Sequence, residues 1–454
     1  MRKKKTPNIL FMISDDHQHN AIHALGNSTL ETPNLDYLVN QGVAFTQTHI
    51  MGGMSGAVCA PSRASVHSGA NPFRTGGDVN INSQLALLGE TLKEHSYHTY
   101  AIGKWHNDID SFQRSFCDGK NIFFGGMSDH FSVPVHDYQP DGEYSEKTVR
   151  KASVHTSELF ADTAVSFLNE YDKEDPFFLY VAFTAPHDPR QAPSPYHDMY
   201  EEESIELPPN FLDQHPFDNG EMNIRDEQLV GIPREKDNIR QHTKDYYAMV
   251  THMDKQIGNI FETLKEKGIL EDTIIIYTSD HGLALGQHGL MGKQNMYDHS
   301  TRIPFLMKGP GLPVGEKRER LSYQIDIFPT LFDMINLPIP TTVEGKSLCA
   351  MLNDPNKKEW NTVYTKYLDI QRMVKDERWK LIKYYVDDQN VGSDCIQLFD
   401  LQQDPWEIHN LAGKETHLHI LEYLTQEMKK WQFHLGDPLR HIAIDHNTCC
   451  SLTE

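Results

Sequence analysis

The chain has 454 residues, 38% of them hydrophobic, and a formal net charge of -22 at pH 7. That length suits one large domain and a smaller one. The charge argues against nucleic acid or a long polyanion as partner, while leaving room for a local positive pocket that holds one small anion.

Asn8 to Ile13 reads as a buried strand that ends at Asp15-Asp16. Asn34 to Asn40 reads as a helix behind Thr32-Pro33, because proline is favoured just inside a helix start. Val43 to Thr48 is rich in strand formers. Gly52 to Gly56 is a flexible approach to Cys59-Ala60-Pro61-Ser62-Arg63, after which Ala64 to Gly69 reads as a helix. Leu85 to Glu94 is helical, and His98 to Ile102 is a strand running into Gly103-Lys104-Trp105-His106. Helix His155 to Glu170 leads to the strand Phe177 to Phe183 and on to Ala185-Pro186-His187-Asp188. Glu201 to Gln241 is acidic, carries prolines and lacks periodicity, which marks a lid, an insertion or an inert surface loop. Val250, Met253, Ile257, Ile260, Phe261 and Leu264 share one helical face. Thr273 to Thr278 is a β-branched strand that ends at Asp280-His281-Gly282, with Lys293 shortly beyond, and Pro304 to Met307 is a further strand candidate. The alternation predicts an α/β domain over residues 1–345, a large and mostly parallel sheet between helices.

Over residues 346–454 the rhythm changes. Thr362 to Thr365, Arg372 to Lys375, Trp379 to Tyr385 and Gln397 to Leu401 are short strands at hairpin spacing. His417 to Trp431 reads as a helix. The expectation is a small antiparallel sheet with one helix packed on it. Six cysteines are too few and too scattered for a disulfide framework, and Cys449-Cys450 reads as part of a solvated tail. Met1 to Lys5 is basic like the start of a signal peptide, but the apolar run after it is too short for one and stops at Asp15-Asp16. No stretch is long enough to span a membrane. As written the chain is expected in the cytoplasm, and in the periplasm or outside the cell if a leader has been removed.

The polar clusters fall where strands end, the place where ligands gather in doubly wound sheets. Singly, each has an ordinary reading: an acid pair as a turn or cap, a lysine near a histidine as surface, Asp-His-Gly as a loop. Five such clusters behind strands make a pattern. Cys59 at a helix N-terminus faces unpaired N–H groups and the positive end of the dipole, which suits an anion. Arg63 adds a permanent positive charge nearby.

Cys59-Ala60-Pro61-Ser62-Arg63 has the form C-x-P-S-R and resembles the maturation signal of the formylglycine-dependent sulfatases, within the alkaline phosphatase-like superfamily. Gly103-Lys104-Trp105-His106 is similar to the end of the second signature of that family, Gly-Lys-x-His. An acid pair, a later histidine, a further acid and a lysine follow in the family order, from Pro7 to Pro304. Three positions depart from the pattern. Val66 and Ser68 stand where leucine and threonine are usual, and His281 stands where asparagine is common.

The resemblance implies an alkaline phosphatase-like fold and a sulfuric ester hydrolase. It implies that Cys59 is oxidised to a formylglycine whose hydrate is the nucleophile, so a sulfatase-maturating enzyme is a transient partner. Asp15, Asp16, Asp280 and His281, with the residue made from Cys59, are the implied metal site. Calcium is the expected ion, with manganese or magnesium as alternatives, although imidazole is a poor ligand for calcium. Arg63, Lys104 and Lys293 are the implied charge-bearing groups, His106 the implied base, and His187 or Lys293 the proton donor to the leaving alkoxide. Asp188 and Arg190 are candidates for sugar hydroxyls, with His299, Arg302, Arg372 and the His441-Asp445-His446 cluster behind them. The expected substrate is a short or monomeric sulfated sugar, cleaved in exo fashion. The alternatives are a phosphonate monoester or phosphodiester hydrolase of the same superfamily, and a non-catalytic protein that binds sulfated sugars.

Overall fold

The computed structural model describes residues 6–389, 391–446 and 448–450. The basic Met1 to Lys5 lies outside the described residues. An eight-stranded sheet forms the centre, in the order Glu316–Arg318, Val43–Phe45, Phe305–Lys308, Thr273–Ser279, Asn8–Ser14, Phe177–Ala182, His98–Lys104, Asp118–Phe123. The five strands from Thr273–Ser279 to Asp118–Phe123 run parallel. Phe305–Lys308 is antiparallel to both of its neighbours, so the strand expected near Pro304 exists but breaks the parallel rhythm.

The core is sorted by the two-residue period of the strands. Leu10, Met12, Leu179, Val181 and Ile275 face the helices Pro33–Gln41, Thr156–Glu170 and Lys236–Glu266. Ile9, Phe11, Ile13, Phe178 and Ile276 face the opposite layer, with Leu88, Phe328 and Leu331. A strand buried on both faces needs apolar side chains at every position, which is why Asn8–Ile13 and Thr273–Thr278 read as unbroken runs. Truncating one of these residues, such as Ile276→Ala, would leave a cavity costing about 2–5 kcal/mol.

Register places the site. Ser14 pairs with Ser279, and Ile13 pairs with Ala182. Gly103 in turn pairs with Ala182. Asp15-Asp16, Asp280-His281, Lys104 and the segment leading to His187 therefore leave the same edge of the sheet. Gly103 has a positive φ of 86°, and a Cβ there would run into the Ala182 carbonyl. Only glycine lets the strand swing Lys104 toward the acids.

A second sheet has the order Cys395–Asp400, Trp379–Tyr384, Gln371–Lys375, Val363–Tyr367, Gly52–Gly53. Its four late strands are antiparallel, as expected. The fifth is the glycine pair ahead of Cys59, which joins in parallel. One face packs on the helix Leu418–Leu435. The other packs on Ala284, Leu290, Met296 and Tyr297, which flank Lys293.

One cysteine reading is corrected. Cys395 and Cys450 form a disulfide across 55 residues, and Cys450 is buried rather than part of a solvated tail. It ties the chain end to the outer strand of the second sheet. Closing a loop of that length restricts the unfolded chain by about 4 kcal/mol in the chain-entropy picture. Among the described residues, no helix is long and apolar enough to cross a membrane.

Candidate active site

Cys59 opens the helix Cys59–Ser68 at the carboxyl edge of the central sheet, and every residue of that helix is buried. Short polar contacts fix the helix. Ser62 Oγ lies 2.5 Å from the Asp280 carbonyl and 2.9 Å from Gln324 Oε1, its one proton shared between the two acceptors. Asn107 Nδ2 donates to the Ala60 carbonyl (3.0 Å). The C-x-P-S-R segment is thereby locked to the loop that carries Asp280.

Cys59 Sγ lies 3.1 Å from His281 Nε2 and 3.4 Å from Lys293 Nζ. This sulfur stands where the oxygens of a hydrated formylglycine would be. Burial opposes ionisation of the thiol, but Lys104, Lys293 and His281 outweigh it and hold Cys59 well below the usual thiol range.

Asp16 is the hub of the charged contacts. Lys293 Nζ donates to both of its oxygens (2.9 and 3.1 Å), His281 Nδ1 lies 3.1 Å away, and His187 Nε2 lies 3.8 Å away. Lys104 Nζ donates to Asp15 Oδ2 and to the Gly126 carbonyl. Arg63 Nε donates to Asp280 Oδ2 (3.0 Å), and its Nη1 donates to the Lys104 carbonyl (3.0 Å). Burial alone would favour neutral histidines. Acid neighbours win at two of them: Asp16 raises His187 to about 9, and Asp280 with Asp16 raises His281 to about 10. At His106, burial and Lys104 prevail and lower the imidazole, keeping it neutral at pH 7.

The donor set fits a divalent cation. Ligand-capable atoms of Asp15, Asp16, Cys59 and His187 lie within 4.8 Å of one another, as do those of Asp15, Cys59, Asp280 and His281. Asp15 Oδ1 is buried without a hydrogen-bond partner. Burial, then Asp15, push Asp280 up to about 7, and a bound cation would relieve that repulsion. Asp16 and His106 both hold left-handed backbone, with φ of 68° and 63°. Such strain in non-glycine residues gathers at working sites, where the surroundings enforce it.

A cleft of about 250 Å³ opens onto these groups. Cys59, His106, His187 and Lys293 line it from below. Gly126 is part of the wall, and a side chain there would strike the His106 ring. Ile224, Arg225, Asp226 and Gln294 form the rim. The long unpatterned segment therefore contributes to the cleft, and it ends earlier than expected because the last helix of that layer already starts at Lys236. Nothing in its sequence marked Arg225 or Asp226. Gln294 carried one signal, its position directly after Lys293.

Other candidates lie elsewhere. Arg63 and Lys104 sit behind the acids and do not line the cleft. Asp188 is bound on both oxygens by Arg225 (2.5 and 3.0 Å). Arg190 turns to His242 Nδ1 (2.7 Å) and does not line the cleft. His299 stacks near Tyr297, Arg302 donates to the Thr46 carbonyl, and Arg372 makes a buried pair with Asp437. His446 bonds Thr425, and His441 packs against Phe433, both on the late helix. None of these lines the cleft.

A family model described as Sulfatase matches residues 7–337. The chain belongs to the sulfatase family. It is a sulfuric ester hydrolase, and the family brings a metal ion and a formylglycine to such sites. A second model, N-sulphoglucosamine sulphohydrolase, C-terminal, matches residues 286–434. An N-acetylglucosamine-6-O-sulfatase of Bacteroides thetaiotaomicron is 26% identical over 503 residues, covering 94% of this chain and 86% of that one. The solved structure of BT4656 in complex with its substrate D-glucosamine-2-N,6-O-disulfate superposes with a TM-score of 0.82 at 22% identity, covering 97% of this sulfatase and 100% of that chain. The phosphonate monoester hydrolase of Agrobacterium radiobacter superposes with a TM-score of 0.74 at 20% identity, covering 94% and 96%. These likenesses establish the alkaline phosphatase-like fold.

Proposed function

We propose that this sulfatase is an exo-acting carbohydrate O-sulfatase that works on short sulfated sugars through a formylglycine made from Cys59. The observation that carries this reading is the size of the cleft. About 250 Å³ lies below the ~300–1,000 Å³ range of pockets for drug-sized ligands, so it suits a sulfate with one sugar ring. Sulfated amino sugars appear in the names of similar proteins, which supports a saccharide leaving group.

Asp15, Asp16, Asp280 and His281, with residue 59, would hold the cation, calcium by preference because three of the four side chains are carboxylates. The cation would polarise a sulfate oxygen. The hydrated formylglycine would supply a nucleophile that can eliminate afterwards without water attacking sulfur. The remaining work falls to side chains. Lys293, 3.4 Å from residue 59 and bonded to Asp16, places a positive charge where the sulfuryl group must sit. Arg63 and Lys104 act from behind by fixing Asp280 and Asp15. His106, kept neutral and with Nδ1 unpartnered, is suited to take a proton at residue 59. His187, kept cationic by Asp16, is suited to give one to the leaving oxygen. A sulfatase-maturating enzyme is the implied transient partner. The Cys395–Cys450 disulfide supports an oxidising compartment, and so the exported alternative over the cytoplasmic one.

Exo action is tested by comparing sulfate release from terminally sulfated mono- and disaccharides with release from the intact sulfated polysaccharide. The small sugars should turn over and internal sulfates should not. Faster release from the polymer would contradict the reading.

A further inference from the structure

The rim of the cleft carries charges that the reaction itself does not require. Arg225 Nη1 donates to Asp188 Oδ2 (2.5 Å), and Nη2 donates to Asp188 Oδ1 (3.0 Å) and to Asp226 Oδ1 (2.5 Å). Nη1 also lies 2.7 Å from Met127 Sδ. The Arg225 side chain is 45% exposed at the mouth, whereas Asp188 and Asp226 are nearly buried beside it.

This rim is anchored on three sides. Asp226 Oδ2 accepts from Gln294 Nε2 (3.0 Å), and the same amide donates to the Gly56 carbonyl (3.0 Å). One side chain thus joins the 201–241 segment, the residue next to Lys293 and the approach to Cys59. Glu227 accepts from the Met291 and Gly292 amides (2.9 and 2.8 Å) and pairs with buried Arg234. A segment held this way presents Arg225 and Asp226 at a fixed position beside the cleft.

The local charge has a sign. Burial opposes ionisation of Asp188 and Asp226, but His187 holds the first well below the usual carboxylate range and Lys293 lowers the second. At the mouth two carboxylates flank one guanidinium, and Asp188 Oδ1 also lies 3.3 Å from His187 Nδ1, while the floor, with Lys293 and His187, is cationic. Arg225 has already committed its Nη groups, which leaves Nε–H as a donor next to carboxylate acceptors. Donor beside acceptor matches neighbouring sugar hydroxyls. A second anion held there would meet Asp226, which lines the cleft, with Asp188 behind it.

We propose that Arg225 and Asp226 set specificity: they admit a sugar with a single sulfate and free hydroxyls beside it, and they disfavour a sugar with a second sulfate or a carboxylate at the adjoining position. This rests on the carbohydrate reading above. Rejection by an unfavourable charge is a common route to discrimination.

The test uses the matured full-length enzyme with a panel of hexose monosulfates and, for each, the counterpart with a second sulfate on the adjoining carbon. An aryl sulfate is run with the wild-type enzyme. The wild type should favour the monosulfate in kcat/KM by about tenfold or more, the scale of a modest like-charge penalty. Asp226→Asn, which keeps the shape and one acceptor for Gln294 while giving up the charge and the acceptor for Arg225, should bring that ratio toward one. Arg225→Gln should weaken KM for the monosulfate more than kcat. A wild-type preference for the disulfated sugar overturns the proposal. So does an Asp226→Asn variant that slows both sugars equally, because that is the mark of a merely structural contact. Turnover of the aryl sulfate with no sugar cleaved overturns the carbohydrate reading, and this proposal with it.

Discussion

Cys59→Ala is expected to lower sulfate-ester turnover by about 10⁴-fold or more, the scale seen when a covalent nucleophile is removed. The fold should survive. Residue 59 is the first of a helix held by Ser62, Asn107 and Arg63 rather than by its own side chain. Circular dichroism and thermal melting of the variant should match the parent, while kcat falls to background. A variant that stays within a few-fold of the parent would remove Cys59 from the chemistry. Cys59→Ser, left unoxidised, keeps one hydroxyl at the site but lacks the second one whose deprotonation expels sulfate, so it should stall as the covalently sulfated enzyme, visible by mass spectrometry, instead of turning over.

Lys293→Ala is expected to lower kcat by about 10²–10³-fold, the usual range for one preorganised donor aimed at developing charge. Its ammonium is buried against Asp16 and residue 59, and burial opposes its charge while Asp16 favours it and holds it above the usual lysine range. Because the contact strengthens as the leaving group departs, the loss should fall on kcat more than on KM. A loss confined to KM would make Lys293 a simple anion anchor. Less than a threefold effect on either would remove it from the site.

The central strands were readable because burial on both faces forces uninterrupted apolar runs, and the polar residues that end them stand out sharply. Asp15-Asp16 after Ile13 and Asp280-His281 after Thr278 are legible for that reason, and the Ser14–Ser279 register brings them together. Pairings between distant segments were not readable. Gly52–Gly53 has no strand propensity, yet it completes the second sheet because its backbone meets Lys366. Thr48–His49 pairs with Arg302–Ile303 and Ser322–Tyr323 as two-residue strands, too short to leave a period. The Cys395–Cys450 bond depends on a chain end returning across 55 residues, which spacing alone does not encode.

The site shows the same division. Motif residues came together at the carboxyl edge, and the rim did not follow from any motif. Arg225 and Asp226 lie in a segment without periodicity, and only their contacts to Asp188 and Gln294 bring them over the cleft. Arg190 shows the converse. Its place two residues after Asp188 made it a candidate for the sugar; one Nη meets His242 on the Lys236–Glu266 helix, while Nε and the other Nη are buried without a partner.

The most direct test is sulfate release by the matured enzyme from hexose monosulfates, measured beside phosphate release from the matching hexose phosphates, with Cys59→Ala in parallel. The account predicts sulfate release from at least one regioisomer, much slower phosphate release, and loss of both in the variant. Faster phosphate release, or sulfate release that persists without Cys59, would contradict it.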